Sequence, residues 1–307
     1  MAKTDFGAQK AEDQRHWALD TIRVYRDELF WLPYMGAGAD SVIQTANELK
    51  KVRGADRAMF SLVNDLRSTG VVGDAELRGN EERMTSQNVE VRIDYLRNAV
   101  INNGKMDDQR TVIDFRASAR DALGQWRAQT ADDIITQTLT GVGYTLTVDG
   151  DPRYIAAGQS NLYTLAFAAD VTAATANRHF NATATGLAAG ATASISSSNV
   201  FTYKTLLAAH AKAGVLGIKP LTAKGKNYYL VMLHPYQMMQ LKQDSMFNSI
   251  LSQAGERGDA NPLFTGAVVT VDGLILKVNN RAVNTRLAAA GSKWGSGGNV
   301  DGAAALL

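Results

Sequence analysis

The stretch that most constrains this chain runs from Ala58 to Val100. Val89, Val91, Ile93 and Tyr95 alternate with Glu90, Arg92 and Asp94, which is a period-two strand with one wet face. Ahead of it AMFSLV offers a second strand, and Gly70, Gly73 and Gly79 stud the connection. Residues 48–105 carry 10 basic and 9 acidic side chains, leaving few apolar ones to bury. A two-stranded ribbon of this kind is marginal by itself in water. It needs a surface to lie on, most economically another copy of the chain. The residues to look for are therefore those that make contacts between copies.

A long amphipathic helix follows. From Asp108 to Leu139, apolar residues recur at Val112, Phe115, Ala119, Ala122, Trp126, Ile134 and Leu139. At about 1.5 Å per residue the helix would span roughly 48 Å, the length of a spine. Its other face carries Arg116, Arg120, Arg127, Asp132 and Asp133. Asp107 and Asp108 suit its N-terminus, where negative charge is favoured. Upstream, Ala18, Ile22, Tyr25 and Leu29 give a helical pattern over residues 9–31, which Pro33 stops. That helix reads either as the first helix of a core or as an arm on a neighbouring subunit.

Residues 145–200 are poor in charge and rich in Ala, Thr, Ser and Gly, predicting loops and short strands. FTYKTLLAAHAKAGVL returns to helix. NYYLVMLHP reads as a buried strand, and the segment from Pro235 to Gly255 as one helix with proline in its first turn. In AVVTVDGLILKV two apolar strands flank Asp272-Gly273, a hairpin signal. The final DGAAALL reads as the start of an element, which implies a longer natural product.

Chemistry is sparse. There is no cysteine, which excludes disulfides and thiolate sites. His16, His179, His210 and His234 stand in no ligand spacing, so neither a metal nor a catalytic site has support. His234, at a strand-to-helix junction, suits a capping role. No nucleophile elbow occurs, and Gly36-Ala37-Gly38 lacks the third glycine of a dinucleotide loop. No catalytic, cofactor-binding or metal residues are assigned, and the chain reads as no enzyme. The net charge is +2, yet residues 201–307 hold 11 Lys/Arg against 5 Asp/Glu. That local excess fits an anionic neighbour or a solvated basic face. No apolar run reaches the roughly 18 residues of a membrane span, and no signal peptide opens the chain.

Four segments, in order, resemble the major capsid proteins of tailed bacteriophages, in the branch typified by the coliphage N-four capsid protein. YMGAGADSVIQ is similar to the N-terminal arm of that family. Gly79-Asn80-Glu81-Glu82 with IDYLRNAV resembles its extended hairpin, the E-loop. KMDDQRTVIDFRASARDALGQW resembles its spine helix, and the run from Leu230 to Leu276 its axial domain. The resemblance implies an α+β fold of the Hong Kong 97 type. It divides the chain into an N-arm (1–47), an E-loop (48–105), a peripheral domain with the spine helix (106–222) and an axial domain with return segment (223–307). It implies a structural subunit that self-assembles into pentamers and hexamers of an icosahedral shell around double-stranded DNA, bound without sequence specificity. A nanocompartment shell of the encapsulin kind is the alternative. Separate scaffold, portal or decoration proteins are the further partners implied; the place is the virion, assembled in the host bacterial cytoplasm. On this reading Trp17, Tyr25, Phe30, Trp31, Gly79, Asn80, Glu81, Glu82, Val91, Ile93 and Arg97 are intersubunit contacts. Some relatives crosslink through an E-loop lysine. Residues 52–104 contain none, so a non-covalent shell is expected.

Overall fold

The computed structural model describes residues 21–22, 29–38, 41–45, 57–64, 66–101, 114–155, 158, 160–223, 226–254 and 269–307. Two-residue strands β1 (Met35–Gly36) and β2 (Ile43–Gln44) pair in parallel. Strands β3 (Arg57–Val63) and β4 (Ser86–Arg92) form the expected ribbon, and helix α1 (Phe115–Thr140) is the spine. After it come the hairpin β5 (Phe180–Thr183) and β6 (Gly186–Ala189), then helix α2 (Tyr203–Val215). Strands β7 (Leu221–Ala223), β8 (Lys226–Leu233), β9 (Val269–Val271) and β10 (Leu274–Val278) make one sheet in the order β7-β8-β10-β9. Helices α3 (Pro235–Gln243) and α4 (Ser245–Ala254) lie between β8 and its parallel partner β10.

The spine is 26 residues long, about 39 Å. It starts later than the periodicity predicts. Asp114 takes an extended backbone, and its carboxylate accepts the N–H groups of Arg116 and Ala117 at 3.0 and 3.3 Å. Asp107 and Asp108 lie outside the described residues. At the other end Gly141 adopts a φ of 69°, and a Cβ there would sit 2.5 Å from the Thr172 carbonyl oxygen. Conformation and close approach both require glycine.

The buried stripe of the spine differs from the apolar one read in the sequence. Ala119, Gly124, Ala128, Asp132, Thr136 and Gln137 are buried, while Trp126 and Ile134 are half-buried and Leu139 is exposed. Small and polar side chains let other segments approach the helix backbone. Asp132 thus faces inward, rather than lying on the solvated face with Arg127.

The hydrophobic core joins α2 to the sheet: Tyr203 and Leu206 pack with Val231, Leu233, Leu274 and Leu276, and with Leu241 and Phe247 of α3 and α4. The cluster spans residue 222, joining α2 to the sheet. The β9–β10 hairpin turns at Asp272 (φ 52°) and Gly273 (φ 79°), as expected. The predicted single helix after Pro235 is broken at Asp244, whose backbone is extended. One Asp244 oxygen accepts the Tyr203 N–H at 2.8 Å and the other that of Met246 at 3.2 Å, so the break ties α2 to α4. The terminal DGAAALL starts no new helix or strand. Ala303 bridges Asn284, and Leu306 exchanges two backbone hydrogen bonds with Met232 of β8.

His234 caps α3, its Nδ1 accepting the Tyr236 N–H at 3.3 Å. Burial lowers its pKa from the ordinary 6.5. The folded state then binds fewer protons than the unfolded one, so stability is full above pH 6.5 and is lost as pH falls toward the lowered value. Urea midpoints measured from pH 8 to 4.5 are expected to fall across that window. His234→Asn, a cap that does not titrate, is expected to flatten that part of the curve.

Candidate intersubunit surface

Strands β3 and β4 pair antiparallel over seven residues, from Arg57 opposite Arg92 to Val63 opposite Ser86. All seven residues of β4 are exposed. One face of the ribbon is charged. Arg57 and Arg92, like charges directly opposite, are bridged by Glu90, which takes Arg57 at 3.0 Å and Arg92 at 3.1 Å. The other face carries Val89, Val91 and Phe60, with Val91 43% exposed. Alternation continues past the strand: Ile93, 41% exposed, and Tyr95 follow after pairing has ended.

The ribbon's root is tied down. Asp94 accepts the N–H of Ala166, 72 residues away, at 2.9 Å and that of Tyr95 at 2.7 Å. These backbone donors, Ala166 first, hold its carboxyl below the usual range. Sequence reasoning saw Asp94 only as one polar residue in an alternation. Its distant partner leaves no local signal.

At the tip, the residues read as contacts brace the loop itself. Gly79 has a φ of 91°. The Glu81 carboxylate accepts its N–H at 2.8 Å, and Glu82 accepts those of Arg67 and Ser68 at 2.6 and 2.7 Å. Asn80 donates to the Glu76 carbonyl at 2.9 Å. This network shapes a loop whose side chains remain exposed; Arg97, past the ribbon's root, is exposed too.

The arm root is different. Leu29 and Phe30 are already outside a helix, and Pro33 sits in a short 3-10 turn, Leu32–Tyr34. The reason is Asp132: it accepts the backbone N–H of Phe30 at 3.1 Å and of Trp31 at 3.4 Å, drawing both away from helical bonding. The Trp31 indole N–H donates to Thr136 Oγ1 at 3.1 Å. Trp31 is 1% exposed inside its own chain and has no surface to offer a neighbour, whereas Phe30 stays half-buried. Trp17 and Tyr25 lie outside the described residues. Beside this anchor Asp133 pairs with Arg281 at 2.6 Å; burial lifts both aspartates' pKa values, opposed by those partners.

A spine helix, an exposed ribbon, an anchored arm root and a helix-covered sheet make up the α+β Hong Kong 97-type capsid fold. The capsid of Ralstonia phage GP4 superposes with a TM-score of 0.68 at 22% identity, over 91% of this chain and 75% of that one. The capsid asymmetric unit of cyanophage Pam1 gives 0.64 at 21% identity, over 84% and 70%. A family model described as phage capsid protein matches residues 6–304. The major capsid protein of Pseudomonas phage KPP25 is 36% identical, over 99% of this chain and 81% of that protein. The chain belongs to the phage capsid protein family. With these matches the nanocompartment alternative is set aside.

Asp132→Ala would leave two backbone donors at the arm root without an acceptor. It is expected to lower unfolding free energy by about 2 to 3 kcal/mol in urea denaturation. Asp132→Asn, which keeps one acceptor oxygen, is expected to lose roughly half of that.

Proposed function

We propose that this chain is the repeating subunit of an icosahedral phage shell, assembled non-covalently into hexamers and pentamers around double-stranded DNA. The observation that carries this reading is the ribbon. It is rooted at Asp94, braced at its tip and exposed along a face bearing Val89 and Val91. A folded chain gains little from holding out a two-stranded ribbon in water. A neighbouring copy supplies the missing layer. Identical chains reuse the same patches, and closed symmetry ends growth. Obligate interfaces of this kind commonly bury more than about 2,000 Å².

The work is physical rather than catalytic, so no enzymatic residue is proposed. Phe30, Gly79, Asn80, Glu81, Glu82, Val91, Ile93 and Arg97 remain the proposed contacts, with Trp17 and Tyr25 from the arm. The proposed units are the arm (1–47), the E-loop (48–105), a peripheral unit around the spine (106–222) and an axial unit with return segment (223–307), with the core cluster joining α2 to the last of these. DNA is held without base reading, through charge alone. Scaffold, portal and decoration functions belong to separate chains. Assembly takes place in the host cytoplasm, and the product resides in the virion.

Negative-stain microscopy of the expressed chain is expected to show shells or capsomer rings. Val91→Asp is expected to lose them while keeping the subunit's circular-dichroism helix signal; equal loss of both would make β4 a core strand. Because residues 52–104 lack lysine, assembled particles are expected to run as a single monomer band on denaturing gels. A ladder would sink the non-covalent reading.

A further inference from the structure

Three of the basic residues in the C-terminal third, Lys212, Lys219 and Arg286, line one cleft. The cleft, of about 1150 Å³, opens between the β5–β6 hairpin with α2 on one side and the return segment on the other. Its charged lining is Arg178, Lys212, Lys219 and Arg286 against one carboxylate, Asp301, which is itself paired with Lys293 at 2.7 Å. Lys212 Nζ stands 5.2 Å from the centre of the Phe180 ring. Between the cations the lining is mixed: Ile195, Leu206, Met239 and Trp294 stand among Asn181, Ser196, Thr205 and Gln240. The volume exceeds the roughly 300 to 1,000 Å³ usual for small-molecule sites. A cleft of this size and makeup fits a peptide segment with both carboxylates and apolar side chains. A phosphodiester chain would meet the cations and leave the apolar lining unfilled.

The chain itself carries such a segment. From Val71 to Glu82 the ribbon's tip holds Asp74 and Glu76, with Glu81 and Glu82 bonded to the loop's own backbone, against the single Arg78. Val72 and Leu77 there are 86% and 64% exposed. The 17 residue steps from Arg57 to Asp74 can reach up to roughly 55 Å, far enough to cross onto another subunit. A tip on one side and a cleft on the other make a head-to-tail contact, which closes rings. We infer that the E-loop tip of one subunit docks in the basic, apolar cleft of a second copy. This inference rests on the shell reading and names the receiving site.

Charge reversal tests the pairing. Asp74→Lys with Glu76→Lys, and separately Arg178→Glu with Lys212→Glu, are each expected to cut shell yield about tenfold or more, by sedimentation and microscopy. Combining all four is expected to restore yield to within about threefold of wild type, the signature of direct coupling. A fluorescent peptide of residues 70–82, titrated into purified full-length subunit, is expected to bind, to weaken with added salt and to fail against the Arg178→Glu/Lys212→Glu chain. A quadruple variant no better than either pair, or a peptide that binds both chains alike, overturns the inference. So do cleft-reversed shells that form at wild-type yield but carry less nucleic acid by absorbance, since the cleft would then contact the genome. A wild-type chain that forms no shells counts against the shell reading alone, and the peptide titration then decides the docking by itself.

Discussion

The arm root, the return segment and the loop after the spine all hang on about one and a half turns of the spine helix, residues 132–137. Asp132 seats the arm root through two backbone donors, and Thr136 takes the Trp31 indole. Asp133 holds the return segment through Arg281. Gln137 donates to the Leu146 carbonyl at 2.8 Å and accepts from Arg153 at 2.7 Å, fixing the loop after the helix. Three segments far apart in sequence thus meet on one short stretch of helix. The stretch tolerates buried carboxylates because each is bonded: a buried charge without partners would cost far more than any packing gain here. The cost that remains shows in the raised pKa values of both aspartates.

The return segment completes this arrangement. Asn284 donates its backbone N–H to Val148 at 2.7 Å and its side-chain amide to Asp149 at 2.9 Å, while Leu306 pairs with Met232 at the far end. The spine, its following loop and the edge of the axial sheet are therefore stitched by hydrogen bonds more than by apolar contact. The axial sheet with α2, α3 and α4 has the conventional core of Leu, Val and Phe. A subunit built this way has one region stabilised mainly by burial and another mainly by directional bonds, and the second gives the arm and loop their angles of departure.

How much of this was legible follows from how local each signal is. The ribbon, the Asp272-Gly273 turn and the strand leading into Pro235 were readable because period, turn residue and proline act within a few positions. The spine's existence was readable, but its buried face was not. Periodicity marks where apolar side chains recur, whereas this helix buries Gly124, Ala128 and Thr136 because other backbones come close. The break at Asp244 looked like helix because Asp244 owes its conformation to Tyr203, 41 residues away. Asp94 and Asp132 were missed for the same reason: 72 and about 100 residues separate them from the amides they hold. The resemblance assigns Trp31 to a neighbour, whereas the Thr136 hydroxyl that takes its indole N–H lies 105 residues away and leaves no local signal.

A division of labour follows from where the polar groups are satisfied. Along residues 132–137 the polar side chains of Asp132, Asp133, Thr136 and Gln137 are matched to partners within the chain. The ribbon differs. Its carboxylates at Glu81, Glu82 and Glu90 are spent on its own backbone and arginines, so its shape is set before any neighbour arrives, while its apolar side chains remain uncovered. A surface that is ordered in advance loses less conformational freedom on association than one that must be ordered at the contact. Repeated around a closed ring, that saving accrues at every contact. A ribbon that no isolated subunit needs is thereby one that an assembly can use.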